Sequence, residues 1–212
     1  MKTFDYSTVK QYRFATIMKP FFKLISILIF RVKVVGKENI PKDGGFIIAS
    51  NHISAPDPGF IYVNLKRPIH FMSKHEIYEK PFMCWVYTHL NGFPVNREVA
   101  DKSAVEYAIK VIRQGSILGI FPEGTRSKDY TPQPAKAGVA LVARETKSCV
   151  LPVSIYSADR AKPFKKTTVR FGEVIPYEDL GFSNGVKSNE LRFAARLIME
   201  DIKGLWALGH SK

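Results

Sequence analysis

A histidine five residues ahead of an aspartate is a compact unit of general-base chemistry, and His52 and Asp57 form such a pair in Ser50-Asn51-His52-Ile53-Ser54-Ala55-Pro56-Asp57. A neutral imidazole takes the proton of an attacking alcohol near pH 7, and a carboxylate on its other nitrogen fixes the tautomer and stabilises the imidazolium. The segment follows the apolar run 45–49, so His52 emerges from the end of a strand, where α/β folds carry reactive groups. Alone the pair is ambiguous. Asp57 before Pro58 also reads as a helix N-cap with proline at the first helical position, and His52 as a buried, hydrogen-bonded histidine.

A second constellation, Phe121-Pro122-Glu123-Gly124-Thr125-Arg126-Ser127, follows another apolar run, 117–120. Arg126 offers a planar fork for bidentate phosphate binding, and Gly124 lets the backbone approach a ligand. Glu123 can accept hydrogen bonds from substrate hydroxyls or hold Arg126. The plain alternative is a turn with a local Glu-Arg pair. Gly92-Phe93-Pro94-Val95-Asn96-Arg97 places a further cation after a strand, and Lys74 follows the run 69–73. Singly these are solvated surface charges; with Arg126 they make an anion pocket.

The elements that must carry these loops show in the periodicity. Apolar runs at 46–50, 69–73, 91–95, 117–121, 149–155 and 167–171 read as strands, interleaved with helical patterns. This alternation predicts an α/β fold, a mixed central sheet flanked by helices. Ala104, Val105, Ala108, Val111 and Ile112 recur at helical spacing from Asp101 to a stop at Gly115, and Leu191, Ala194, Ala195, Ile198, Ile202 and Leu205 repeat the pattern near the end. The stretch 124–136, with Pro132, Pro134, Arg126, Lys128 and Lys136, has no periodicity and reads as an ordered loop over a site. The apolar stretch 82–86 with Trp85 reads as a core helix or as the lining of an acyl-chain channel.

Residues 1–37 hold eight basic side chains and one acidic one, interspersed with Phe14, Ile17, Met18, Phe21, Phe22, Leu24, Ile25, Leu28 and Ile29. This predicts a basic amphipathic helical arm, either lying in a membrane interface or packed on the core with a solvated charged face. The expected division is an arm over 1–32 and a catalytic domain over 33–212. The apolar part of the arm, 21–30, is interrupted by Lys23 and Ser26 and is half the length a membrane-crossing helix needs, about 20 residues, so no transmembrane span is predicted. No signal-peptide cleavage site follows it.

The chain has 212 residues, 45% of them hydrophobic, enough for one domain with a substantial core. Its 32 basic and 19 acidic residues give a formal charge of +13, which favours an anionic partner: lipid headgroups, phosphates, nucleic acid or an acidic carrier protein. A nucleic-acid module is disfavoured, because no basic-aromatic motif of that class appears and the charge excess is concentrated in the arm. Cys84 and Cys149 have no partner at metal-ligand or CxxC spacing, and His70, His75 and Glu76 lack a compact ligand pattern, so neither a disulfide framework nor a metal site is expected. A reducing cytosolic setting is the default. Gly181-Phe182-Ser183-Asn184-Gly185 spells a serine-hydrolase GxSxG followed by Asp201 and His210, but Tyr177-Glu178-Asp179-Leu180 ahead of it is too polar for the buried strand that such an elbow needs.

In this order the segments resemble the glycerolipid acyltransferase family, whose best-known members are 1-acyl-glycerol-3-phosphate acyltransferases. The family's asparagine-histidine-four residues-aspartate motif is met by Asn51, His52 and Asp57, with an accompanying Ser54; its glycine-four residues-arginine motif by Gly92 and Arg97. Its Phe-Pro-Glu-Gly-Thr-Arg-Ser motif is matched at every position from Phe121 to Ser127, and its proline-valine strand by Leu151-Pro152-Val153.

The resemblance implies direct acyl transfer. His52, oriented by Asp57, would deprotonate the acceptor hydroxyl, which attacks a thioester of acyl-CoA or acyl carrier protein. Arg126, Arg97 and Lys74 would hold the acceptor phosphate, with Glu123, Gly124 and Thr125 completing the substrate site. It implies no cofactor, a lysophosphatidic acid acceptor, an anionic membrane surface as partner, and a peripheral or monotopic place on the cytoplasmic face. Acyl transfer to glycerol 3-phosphate or another lyso-lipid, and lipid binding without catalysis, are the alternatives.

Overall fold

The computed structural model describes residues 4–97, 99, 101–159, 161–183 and 188–211. Seven strands, β1 (Val32–Val35), β2 (Phe46–Ser50), β3 (Ile69–Lys74), β4 (Gly92–Val95), β5 (Ile117–Ile120), β6 (Val150–Tyr156) and β7 (Thr167–Phe171), form one sheet in the order β1-β7-β6-β2-β5-β3-β4. All neighbours are parallel except β6 and β7, so the sheet is mixed, as the alternation predicts. Among the described residues six α-helices accompany it: α1 (Arg13–Leu28), α2 (Asp57–Tyr62), α3 (Pro81–His89), α4 (Lys102–Arg113), α5 (Gly138–Thr146) and α6 (Ser188–Ala207).

Buried parallel strands read as continuous apolar runs because helices cover both faces. In β2 every residue is buried, and alternate side chains serve opposite layers. Ile47 and Ala49 pack with the inner faces of α4, α5 and α6. Phe46 and Ile48 pack with Phe60 and Ile61 of α2 on the other side. Each of these large side chains contributes roughly 2 kcal/mol by leaving water. Pro152 lies inside β6 in register with Ala49 of β2, one residue before the β6–β7 ladder starts at Val153 opposite Phe171, and its carbonyl accepts from the Gly172 N–H at 2.8 Å.

Strands β2 and β5 are hydrogen-bonded neighbours at the middle of the sheet, and the chain leaves β5 to place β6 on the far side of β2. Their carboxyl ends therefore face one crevice, the position where open α/β sheets bind ligands.

Two expectations need correction, and one strand was not anticipated. Among the described residues of the N-terminal arm the helix covers Arg13–Leu28 alone. Residues before it are packed on the body: the Phe4 ring meets Tyr107 edge-on at 5.4 Å, and the Tyr6 hydroxyl donates to the Pro94 carbonyl at 3.0 Å. Strand β1, immediately after the arm, is too short and too evenly half-exposed to show as an apolar run. Helix α3 covers the stretch 82–86 but is no core helix: none of its residues is buried, and Phe82 and Trp85 are 71% and 48% exposed.

Candidate functional site

The chain turns back on itself straight after β2, and Asp57, the first residue of α2, is wholly buried beneath that turn. Its carboxylate does not cap α2. Oδ2 accepts from the Ile53 N–H at 2.7 Å and the Ser54 N–H at 2.8 Å, while Oδ1 accepts from the Ser54 hydroxyl at 2.6 Å. The remaining contact is the His52 Nδ1, 2.8 Å from Oδ2. With Nδ1–H donated to the buried Asp57 carboxylate, the Nε2 lone pair of His52 is the one that can accept a proton.

The loop after β5 builds the rest of the histidine's surroundings. The Phe121 ring stacks on the imidazole with centroids 4.1 Å apart. Glu123 Oε1 accepts from the His52 backbone N–H at 2.9 Å, and the Ser127 N–H donates to the His52 carbonyl at 2.8 Å. The peptides on both sides of His52 are thus clamped by the neighbouring loop. Asn51, buried behind it, pairs both ways with the Ile155 backbone of β6, at 2.9 and 2.8 Å. Glu123 is 4% exposed, and burial is the main reason its pKa is pushed up to about 7, against the lowering effect of the His52 and Gln133 backbone N–H groups.

Cations gather beside this clamp. Gly124 sits at φ +74°, a conformation that favours glycine, and its carbonyl accepts from Arg97 Nη1 at 2.5 Å. Asp101 holds the Arg97 loop to α4: Oδ2 accepts from the Asn96 N–H at 2.9 Å and Oδ1 caps the helix at the Ala104 N–H. Burial, and to a smaller degree the nearby Arg126 guanidinium, lower the Arg97 pKa, with Glu76 acting the other way. Two guanidinium groups at such range repel until an anion lies between them. Arg126 and Thr125 are exposed. Lys74 is exposed as well and paired with Glu76. The loop behind is tied at Asp129 Oδ1, which accepts from the Ser127 hydroxyl at 2.7 Å, the Thr131 hydroxyl at 2.9 Å and Gln133 Nε2 at 2.9 Å.

A cavity of about 760 Å³ opens against Phe121, Gly124 and Arg97 and continues between α4 and α5 past Val105, Ile109 and Leu141. Its lining is mainly apolar, and the sequence pattern gave no pointer to it because Val105 and Ile109 belong to an ordinary amphipathic helix.

The structure therefore brings His52, Asp57, Glu123, Gly124, Arg97 and Arg126 to one crevice. The sequence does not single out Asp129, and within the motif loop it assigns Phe121 and Ser127 no role of their own, because stacking and backbone contacts are not announced by residue type. The GxSxG segment lies partly outside the described residues. Its Ser183 bonds to Glu190, and a turn of 3₁₀ helix, Tyr177–Leu180, precedes it where a hydrolase has a strand.

Residues 31–156 match the family model described as Acyltransferase. The chain is 31% identical over 185 residues to a 1-acyl-sn-glycerol-3-phosphate acyltransferase of Bacillus subtilis, covering 86% of this chain and 92% of that one. It is 36% identical over 139 residues to the protein of the same name from Borreliella burgdorferi, where the match spans 64% of this chain and 56% of the relative. The crystal structure of the 1-acyl-sn-glycerophosphate acyltransferase PlsC from Thermotoga maritima superposes with a TM-score of 0.70 at 30% identity, over 93% of this chain and 81% of that one.

Proposed function

The chain belongs to the acyltransferase family, and on that premise we propose that it moves a fatty acyl group from a thioester donor to the sn-2 hydroxyl of 1-acyl-glycerol 3-phosphate, giving phosphatidic acid. The observation that carries the reading is the His52–Asp57 pair held at 2.8 Å beside an arginine-bearing loop.

His52 Nε2 takes the proton of the acceptor hydroxyl as that oxygen bonds to the thioester carbon. The tetrahedral intermediate collapses with cleavage of the C–S bond, and the imidazolium returns the proton to the departing thiolate. The acceptor oxygen fills the place a serine nucleophile has in a hydrolase, so no acyl-enzyme forms. A thioester carbonyl is reactive enough for this step to need no metal or cofactor.

Arg126 and Arg97 bind the acceptor phosphate, with Lys74 at the rim, and the Gly124–Thr125 turn lets the glycerol approach. Glu123 acts through the His52 backbone, and the cavity between α4 and α5 takes an acyl chain. The donor is acyl-CoA or acyl carrier protein.

Helix α1 supplies the membrane contact. Ile17, Phe21, Leu24 and Leu28, one stripe at helical spacing, are all more than half exposed, which suits an in-plane helix at the cytoplasmic leaflet. No helix among the described residues is long and apolar enough to cross a bilayer.

The test is thiol release from acyl-CoA and from acyl carrier protein, with and without 1-acyl-glycerol 3-phosphate, for wild type and His52→Ala. Release that needs the acceptor and falls about 10⁴-fold in the folded variant is expected. Release that the variant retains removes His52 as the base, and release with glycerol 3-phosphate in place of the lyso-lipid reassigns the acceptor.

A further inference from the structure

A groove of about 760 Å³ lies on the flank of α1, walled by the segment 37–42 and by the turn between α2 and β3. It collects Lys19, Lys23, Lys37, Lys42, Lys66 and Arg67 against a single carboxylate, Glu38, among its lining residues. Within the described residues none of the six cations is in an ion pair. Arg67 serves the floor: its guanidinium donates to the carbonyls of Lys42, Gly44 and Gly115. Lys19 is half-buried, donating to the Leu65 carbonyl. Burial, then the charges of Lys23 and Lys37, lower its pKa, and Lys37 is lowered by burial and by Lys23. Like charges from three separate chain segments are thus crowded together with only the Glu38 carboxylate among them.

The groove is separate from the catalytic crevice. Lys42, Arg67 and Ile117 stand at or just before the amino ends of β2, β3 and β5, whereas His52 and Glu123 follow the carboxyl ends of β2 and β5. Five residues of β2 alone put about 17 Å between the two ends. Around the α1 axis, Pro20 and Lys23 stand together on one side of the stripe of Ile17, Phe21, Leu24 and Leu28, where the groove opens, while Lys19 lies nearly opposite the stripe and reaches into the body. A helix lying in an interface with its apolar stripe in the acyl boundary holds its flanks at headgroup level.

We propose that this groove is a phosphate-headgroup site for an anionic phospholipid of the membrane, distinct from the acceptor site. The inference rests on the membrane reading of α1 and fixes where that contact becomes specific for charge.

The probe is dihexanoylphosphatidylglycerol below its micelle concentration, titrated into the full chain by calorimetry, together with co-sedimentation on vesicles of phosphatidylcholine alone and of an equimolar phosphatidylcholine–phosphatidylglycerol mixture. Saturable one-to-one binding of the short lipid is expected, weakened about tenfold in Lys23→Gln/Lys37→Gln, with a parallel loss on the mixed vesicles only. The charge-matched pair Lys147→Gln/Lys203→Gln, away from the groove, should change either by less than about twofold. Acyl transfer to a soluble short-chain 1-acyl-glycerol 3-phosphate should be unchanged in Lys23→Gln/Lys37→Gln. Equal loss from both pairs, or binding of inorganic phosphate as tight as that of the lipid, overturns the proposal. So does a groove variant that binds lipid normally but loses affinity for acyl carrier protein. Wild-type acyl transfer without any lipid binding overturns it too, and leaves the proposed reaction standing.

Discussion

Asp57 is asked to satisfy four donors at once, and that makes its substitution informative. Asparagine offers one acceptor oxygen in place of two charged ones, so Asp57→Asn leaves buried N–H groups unpaired and can present its amide to Nδ1, favouring the wrong imidazole tautomer. A drop in kcat of about 10³-fold or more is expected, with a loss of about 2 to 4 kcal/mol measured by denaturant unfolding. Alanine at Ser54 removes only one donor and should cost about 1 kcal/mol with a small change in kcat. Glu123 gives a prediction of opposite sign. Its folded pKa of about 7 stands above the ordinary value of 4.5, so between those pH values the folded state binds the proton more strongly than the unfolded chain and stability falls as pH rises. Glu123→Gln keeps an acceptor for the His52 N–H but removes the buried charge. The variant should be more stable than wild type by about 1 to 3 kcal/mol at pH 8, and the difference should shrink towards pH 4.5 when unfolding is followed across that range. A difference independent of pH would show that Glu123 is not the titrating group.

Between strands, the histidine is braced by a row of rings that starts from a glycine. A Cβ on Gly119 in β5 would come within 2.2 Å of the Phe71 ring; that ring lies parallel to Phe121 at 5.8 Å, and Phe121 stacks on His52. Gly119→Ala must therefore displace Phe71 and, through it, the face on which the imidazole rests. It should cost about 1 to 3 kcal/mol and lower kcat more than it raises KM, whereas Gly138→Ala, where a Cβ meets nothing within 4 Å, should be neutral or slightly stabilising. Equal kinetics for the two variants would remove the ring row from the mechanism. This row also marks the limit of what residue order discloses. Six of the seven strands, the two long amphipathic helices and both motif loops were legible, because periodicity and a contiguous loop are local properties. That Phe121 stacks on His52, or that Glu123 reaches the His52 N–H across 71 positions, depends on the β2–β5 pairing, which no local pattern states. Helix α5 escaped because its nine residues are short for a periodic signal, and α3 was misread because an apolar helix looks the same whether it faces a core or an interface.

Across the whole molecule the +13 charge and the exposed apolar stripe act on different terms of the same equilibrium. The stripe on α1 transfers apolar area into the acyl boundary, which salt scarcely alters, while the lysines act through a potential that fades over about 8 Å at physiological ionic strength. Because Ile17, Phe21, Leu24 and Leu28 are exposed in the folded chain, replacing two of them with a polar residue, as in Ile17→Ser/Leu24→Ser, should leave the thermal midpoint within about 2 °C of wild type. The same change should weaken co-sedimentation with anionic vesicles by at least about tenfold, since each buried side chain of that size is worth roughly 1.5 to 3 kcal/mol. Raising salt from about 0.05 to 0.5 M should weaken wild-type binding as well, and by a similar factor in the serine variant, because the screened term is untouched by the substitution. A helix that serves only as packing would give the reverse pattern: a lowered midpoint, since its apolar residues would then be holding the fold, and vesicle binding that follows salt alone.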